Sequence, residues 1–212
     1  ALRDPEGLLL AILSVEDIFE ANGKHLLGGR VEGISLPLHY DHTDLRIKPD
    51  AMPAEPRVAL VTGGILHRAE LEAAVIYARE QGAELLVQSL AREDDELFGR
   101  IRCLKAALTN CTENHARLSI LPSTPPADAR GWLLQAIVAK NCGCAAILSS
   151  GDMSLVEKHA EEITINPVSL PAGSSDDTFP EVSRALQSLH PPHNKQGFTV
   201  FFSGLSGSGK ST

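Results

Sequence analysis

The sequence predicts an α/β protein: a mainly parallel sheet with helices on both faces, preceded by a β-rich segment and followed by the first strand of a second α/β unit. Three observations carry that prediction. Short apolar runs alternate with helical spacing from Arg57 onward. Three prolines fall within residues 48–56 and separate this region from the one before it. After residue 196 a new aromatic strand runs straight into a glycine-rich turn.

The order of elements follows. Residues 8–15 are almost wholly apolar and read as a strand, entered from the turn-prone Asp4-Pro5-Glu6-Gly7. Gly28-Gly29 reads as a turn leading into a second strand at Ile34. Residues 58–62, Val-Ala-Leu-Val-Thr, form a continuous apolar run of the kind buried on both faces of a parallel sheet. Gly63-Gly64 is a turn, and a helix is expected over 66–81, stopped by Gly82. Strands are expected at 84–88, 118–121 and 145–149, and helices at 94–110 and 131–141. The spacing is that of βαβ units, in which ligands sit outside the carboxyl ends of the strands. Those ends are Thr62-Gly63-Gly64, Gln88-Ser89, Leu121-Pro122-Ser123 and Ser149-Ser150-Gly151-Asp152. Residues 171–180 read as a loop, 181–189 as a short helix, and 190–195 as a linker.

Composition narrows the function. The 212 residues carry 19 Lys and Arg against 27 Asp and Glu, a net charge of −8, which argues against gripping nucleic acid by overall charge. No apolar run nears the roughly 20 residues a membrane helix requires. Cys103, Cys111, Cys142 and Cys144 have poor metal spacing and read as free thiols, so a reducing, cytoplasmic setting is expected. His39, His42, Asp41 and Asp44 read as a polar loop rather than a metal cluster.

The specific chemistry lies at the end. Residues 198–202, Phe-Thr-Val-Phe-Phe, are followed by Gly204-Leu205-Ser206-Gly207-Ser208-Gly209-Lys210-Ser211-Thr212, a G-x-x-x-x-G-K-[ST] loop at a strand exit. Gly204, Ser206, Gly207, Ser208 and Gly209 let successive backbone N–H groups converge on phosphate oxygens. Lys210 places a cation on the β- and γ-phosphates. The Ser211 hydroxyl, followed by Thr212, is the expected Mg²⁺ ligand through bound ATP.

The wording of that loop with Gln196-Gly197 before it resembles the opening of adenylylsulfate kinase. The preceding chain resembles ATP sulfurylase, or sulfate adenylyltransferase, through four stretches. They are Leu2-Arg3-Asp4-Pro5-Glu6-Gly7 with Val15-Glu16-Asp17-Ile18, Gly28-Gly29-Arg30-Val31-Glu32-Gly33-Ile34 with Pro37-Leu38-His39-Tyr40-Asp41, Leu66-His67-Arg68-Ala69, and Ala136-Ile137-Val138-Ala139-Lys140-Asn141-Cys142-Gly143-Cys144. The whole is similar to a bifunctional sulfurylase–kinase fusion, and the chain reads as a fragment of one.

That resemblance implies a β-rich, PUA-like remnant over 1–55 and a Rossmann-like nucleotidyltransferase sheet over 56–170. A helix and linker would fill 171–195, and 196–212 would open a P-loop kinase domain. It also implies phosphorylation of adenylyl sulfate by ATP in sulfate assimilation, with sulfate a further ligand and a homo-oligomer held through the sulfurylase-like part.

The departures from the family pattern are as informative. Where the family reads Gln-Thr-Arg-Asn-Pro-Leu-His-Arg-Ala-His, this chain reads Val61-Thr62-Gly63-Gly64-Ile65-Leu66-His67-Arg68-Ala69-Glu70. The second His of the pair is Glu70, and the Arg and Asn are glycines. The Gly-Arg-Asp-His-Ala stretch has become Ser150-Gly151-Asp152-Met153-Ser154, keeping only the Asp. Arg130 matches a family Arg, whereas Gln135 and Ala139 replace a His and an Arg. The family also carries a longer segment between Ile18 and Gly28.

Expelling pyrophosphate requires stabilising charge that grows on phosphate oxygens, and an anion in place of a cation opposes it. The expectation is therefore a residual site of Thr62, His67, Arg68, Arg130 and Asp152 that has lost sulfurylase catalysis. Two alternatives stand beside the kinase reading: a non-catalytic oligomerisation or regulatory platform, and an active sulfate adenylyltransferase with a substituted site.

Overall fold

The computed structural model describes residues 1–21, 23–35, 41–47, 55–91, 97–111 and 116–197. The P-loop residues 204–212, the strand expected at 198–202, and His39 lie outside them. The chain divides into two compact units, Ala1–Asp44 and Leu45–Thr212.

The first unit is an antiparallel sheet in the order β1 (Leu2–Arg3), β2 (Leu9–Ala21), β3 (Lys24–Gly33). The expected strand at 8–15 thus continues to Ala21 and folds back at once as a hairpin. Gly28 and Gly29 are not a turn but lie inside β3. The register slips between Val15 and Asp17, opposite Gly29 and Gly28. At Gly29 (φ +156°) any Cβ would collide with the Ser14 carbonyl. The glycine therefore accommodates a β-bulge, a role that local sequence does not separate from a turn.

The second unit holds five parallel strands: β4 (Arg57–Thr62), β5 (Glu84–Leu90), β6 (Ala116–Leu121), β7 (Cys144–Ser149) and β8 (Asn166–Ser169). Their spatial order is β6-β5-β4-β7-β8. β4 is central, and all six of its residues are buried, Val58 to Val61 as their apolar run requires. The helices are α1 (Arg68–Glu80), α2 (Leu97–Leu108), α3 (Ala129–Asn141), α4 (Ser154–Lys158), α5 (Ala160–Ile163) and α6 (Pro180–Leu189).

Right-handed crossovers explain the layering. The chain steps outward from β4 to β5 to β6, then returns across the sheet to β7. The helices of the outward steps and of the return must therefore lie on opposite faces. The core divides accordingly. Val58, Leu60, Leu85, Val87 and Leu148 meet α1 and α2 on one side, joined by Phe179, Val182 and Ala185 of the α6 region. Ala59, Val61, Leu86, Leu90 and Ile147 meet Ala136 and Ala139 of α3 and Val156 of α4 on the other. Each fully buried Leu among these contributes about 1.5–3 kcal/mol.

α1 ends on Gly82 (φ +57°), and the N–H of Ala83 reaches back to the Ala78 carbonyl at 2.9 Å. β8 escaped the sequence reading because Asn166-Pro167 is a poor strand signal. It is an edge strand, where a proline's missing donor costs no ladder bond.

A buried ion pair closes the amino-terminal end of the sheet. Arg57 (4% exposed) holds Glu84 Oε2 at 3.1 Å, and Arg117 holds Oε1 at 2.8 Å. Arg57 Nη1 also donates to the Cys142 carbonyl at 3.4 Å.

Candidate functional site

In this topology the strand order reverses between β4 and β7, and ligand crevices open beyond the carboxyl ends of such strands. Thr62, Gly63 and Gly64 leave β4 there, and Ser149, Ser150, Gly151 and Asp152 leave β7. The structure brings Thr62, His67 and Arg68 together on the β4–α1 connection and sets Asp152 at the end of the adjacent strand. Arg130 stands exposed at the start of α3, on the opposite face from α1.

Thr62, His67, Arg68 and Asp152 are engaged within the chain. The Thr62 hydroxyl accepts from the Gly64 N–H at 3.2 Å, which fixes the turn. Asp152 Oδ1 accepts from the Ser154 N–H at 3.0 Å, so its carboxylate caps the start of α4. That hydrogen bonding with Ser154 holds the Asp152 carboxyl below its usual range.

His67 is the N-cap residue of α1, with extended backbone and no side-chain cap. Glu70 follows three positions on, in the first turn of α1. Glu70 is buried, and desolvation raises its pKa above the ordinary carboxylate range despite the nearby His67.

The first turn of α1 also meets a segment from far along the chain. Asp177 Oδ2 accepts from the Ala69 N–H at 2.7 Å, and Asp177 Oδ1 lies 3.8 Å from Arg68 Nε. The Arg68 guanidinium sits 5.2 Å above the Phe179 ring. His67 Nδ1 and Thr178 Oγ1 are 3.3 Å apart. Gly173 approaches so closely that a Cβ there would come within 2.5 Å of the His67 side chain. The sequence alone places residues 171–180 in a plain loop. No local signal marks Asp177, because its partner is 108 positions away.

Two further packings shape this edge. A Cβ on Gly151 would run into the Trp132 indole of α3. Gln135, fully buried, donates to Ser123 Oγ at 2.7 Å. Beside the β4–α1 turn lies a cleft of about 550 Å³ bounded by Gly63, Gly64, Phe98, Arg100, Leu186 and His190. Arg100 donates there to the Gly63 carbonyl at 3.2 Å. Among the described residues, no group of three or more His, Cys, Asp or Glu could hold a metal ion. None of their helices is long and apolar enough to cross a membrane.

The model of the ATP-sulfurylase family matches residues 38–169. The chain belongs to the ATP-sulfurylase family. It is 26% identical to the sulfate adenylyltransferase of Neurospora crassa, over 93% of this chain and 47% of that protein. With the Phaeosphaeria nodorum enzyme the identity is 27%, over 99% of this chain and 54% of the relative. Among solved structures, the hexameric APS kinase from Thiobacillus denitrificans superposes with a TM-score of 0.80 at 33% identity. That match covers 100% of this chain and 53% of the other. The chain thus spans about half the length of the curated relatives it matches.

The positions read from the sequence as departures from the family pattern have a structural setting. Gly151 has the Trp132 ring against it. Glu70 is buried in the first turn of α1. Gln135 is fully buried on α3.

Proposed function

We propose that this chain is part of a sulfate-activating transferase that phosphorylates adenylyl sulfate at its 3′-hydroxyl with ATP, and that its sulfurylase-like domain is non-catalytic. The observation that carries the reading is the pairing of two sequences on one chain: an intact phosphate loop, Gly204, Ser206, Gly207, Ser208, Gly209, Lys210, Ser211 and Thr212, behind a sulfurylase-like site with Glu70 and Gly63 at cationic positions. Likeness to a solved APS kinase across the whole chain supports it.

The loop's backbone N–H groups and Lys210 would hold the ATP phosphates, and the Ser211 hydroxyl would bind the Mg²⁺ that shields their charge. The residual site supports loss of the first activity on electrostatic grounds. Sulfurylase chemistry needs donors aimed at the α- and β-phosphates. Here the anion-facing start of α1 accommodates Asp177, and Glu70 adds a carboxyl behind it. The domain then serves assembly, consistent with the hexameric state named for the APS kinase neighbour.

The test uses the complete protein. Adenylyl-sulfate-dependent phosphoryl transfer from ATP is expected, and sulfate-dependent exchange of pyrophosphate into ATP is not. Robust exchange would establish an active sulfate adenylyltransferase with a substituted site. Absence of both activities would leave the assembly platform alone.

A further inference from the structure

Residues 173–179 do more than connect β8 to α6. Five contacts, made by four of its residues, bind this segment to the start of α1. Gly173 lies against the His67 side chain, leaving no room for a methyl group. Thr178 Oγ1 pairs with His67 Nδ1 at 3.3 Å. Asp177 receives the Ala69 N–H at 2.7 Å through one oxygen and faces Arg68 at 3.8 Å through the other. Phe179, itself buried, lies under the Arg68 guanidinium.

The segment therefore engages both residues that persist from the family's His-Arg pair. It does so with the one kind of group, a carboxylate, that reproduces the charge and acceptor oxygens of a phosphate or sulfate. Backbone N–H groups at a helix start and a neighbouring Arg are the usual donors to such an anion. The Asp177 carboxylate satisfies one of each.

We infer that residues 173–179 form an autoinhibitory strap across the residual sulfurylase-like site, with the Asp177 carboxylate occupying the place of an anionic substrate group. The inference rests on the reading of that domain as non-catalytic and adds the reason why it also fails to hold its former ligand. The strap competes intramolecularly, at an effective concentration no dilute anion matches.

The experiment uses the full protein carrying Lys210→Ala, so that the phosphate loop does not compete for the probe. Pyrophosphate is titrated while the backbone amide of Ala69 and the ring of His67 are followed by NMR. Three proteins are compared: this background, the same with Asp177→Ala, and the same with Gly173→Leu, which lifts the strap while leaving the carboxylate in the sequence. In the background protein both signals should stay unmoved at millimolar pyrophosphate. In the variants they should shift and saturate at concentrations at least tenfold lower. Equal shifts in all three proteins, or none in either variant while the amide spectrum stays dispersed, overturn the strap. Failure of the underlying reading shows separately, as sulfate-dependent pyrophosphate exchange in the unmodified protein.

Discussion

Replacing Glu84 with Leu withdraws the counter-charge from Arg57, a guanidinium only 4% exposed. What remains to it is one long bond, Nη1 to the Cys142 carbonyl at 3.4 Å, while its Nη2 has no hydrogen-bond partner among the described residues. Breaking a buried pair by removing one member costs about 3–5 kcal/mol, because the survivor is left desolvated and unpaired. Arg117, the other cation on Glu84, is 40% exposed and returns to water, so its share is about 0–1 kcal/mol. The expected loss for Glu84→Leu is therefore close to that of the Arg57 pair alone. It lowers the melting temperature by roughly 6–20 °C for a protein of this size.

The check is urea unfolding of the single variant beside Arg57→Met/Glu84→Leu, which replaces the pair with apolar groups of similar volume. The double variant should recover most of the loss, since the desolvated charge has gone. A single-variant cost below about 1 kcal/mol refutes the reasoning, as does a double variant no more stable than the single.

Other consequences follow from the same geometry. Burial raises the Glu70 pKa, so its ionised form works against the fold. Glu70→Gln removes the ionisable carboxyl at nearly the same size and should be more stable than the natural chain above the raised folded pKa. That advantage should vanish as pH falls through it toward the ordinary carboxylate range, and urea midpoints at pH 8 and pH 5 measure the difference. Gly151→Arg, which reinstates the family residue, should destabilise by about 1–3 kcal/mol because Trp132 fills the space, and should restore no pyrophosphate exchange. A thermal melt and an exchange assay report the two halves. Lys210→Ala in the complete protein should cut phosphoryl transfer to adenylyl sulfate by about 100-fold or more. Among the thiols, Cys144 is buried and pushed up to about 12, so it should resist an aromatic disulfide reagent until the protein unfolds. The half-buried Cys111 should react first.

Much of the fold was legible because burial imposes a plain pattern. A strand enclosed on both faces must be apolar throughout, and residues 58–61 and 85–87 are. A helix laid on one face must repeat its small and apolar residues, as Leu71, Ala74 and Ala78 do. The hairpin was read less well. Gly28-Gly29 is as good a turn signal as a bulge signal, and only pairing with Val15 and Asp17 separates them. β8 carries a proline and a single strong strand former, so its place at the sheet edge could not be read locally.

The site divides in the same way. The residues read as matching the family pattern, His67 and Arg68, and those read as departing from it, Gly63, Gly64, Glu70 and Gly151, stand in the linear order, because a helix start and a strand exit are local features. What packs against those positions was a matter for the tertiary structure alone. Trp132 lies against Gly151, and Asp177 reaches the Ala69 amide across 108 positions. Sequence by itself determined the α/β layering, since periodicity acts over short range, and it carries the contiguous glycine-rich turn from which phosphate binding is proposed. That Asp177 faces the first turn of α1 was decided only when α6 packed against α2 and residues 173–179 came to lie beside α1, a long-range contact that no local pattern encodes.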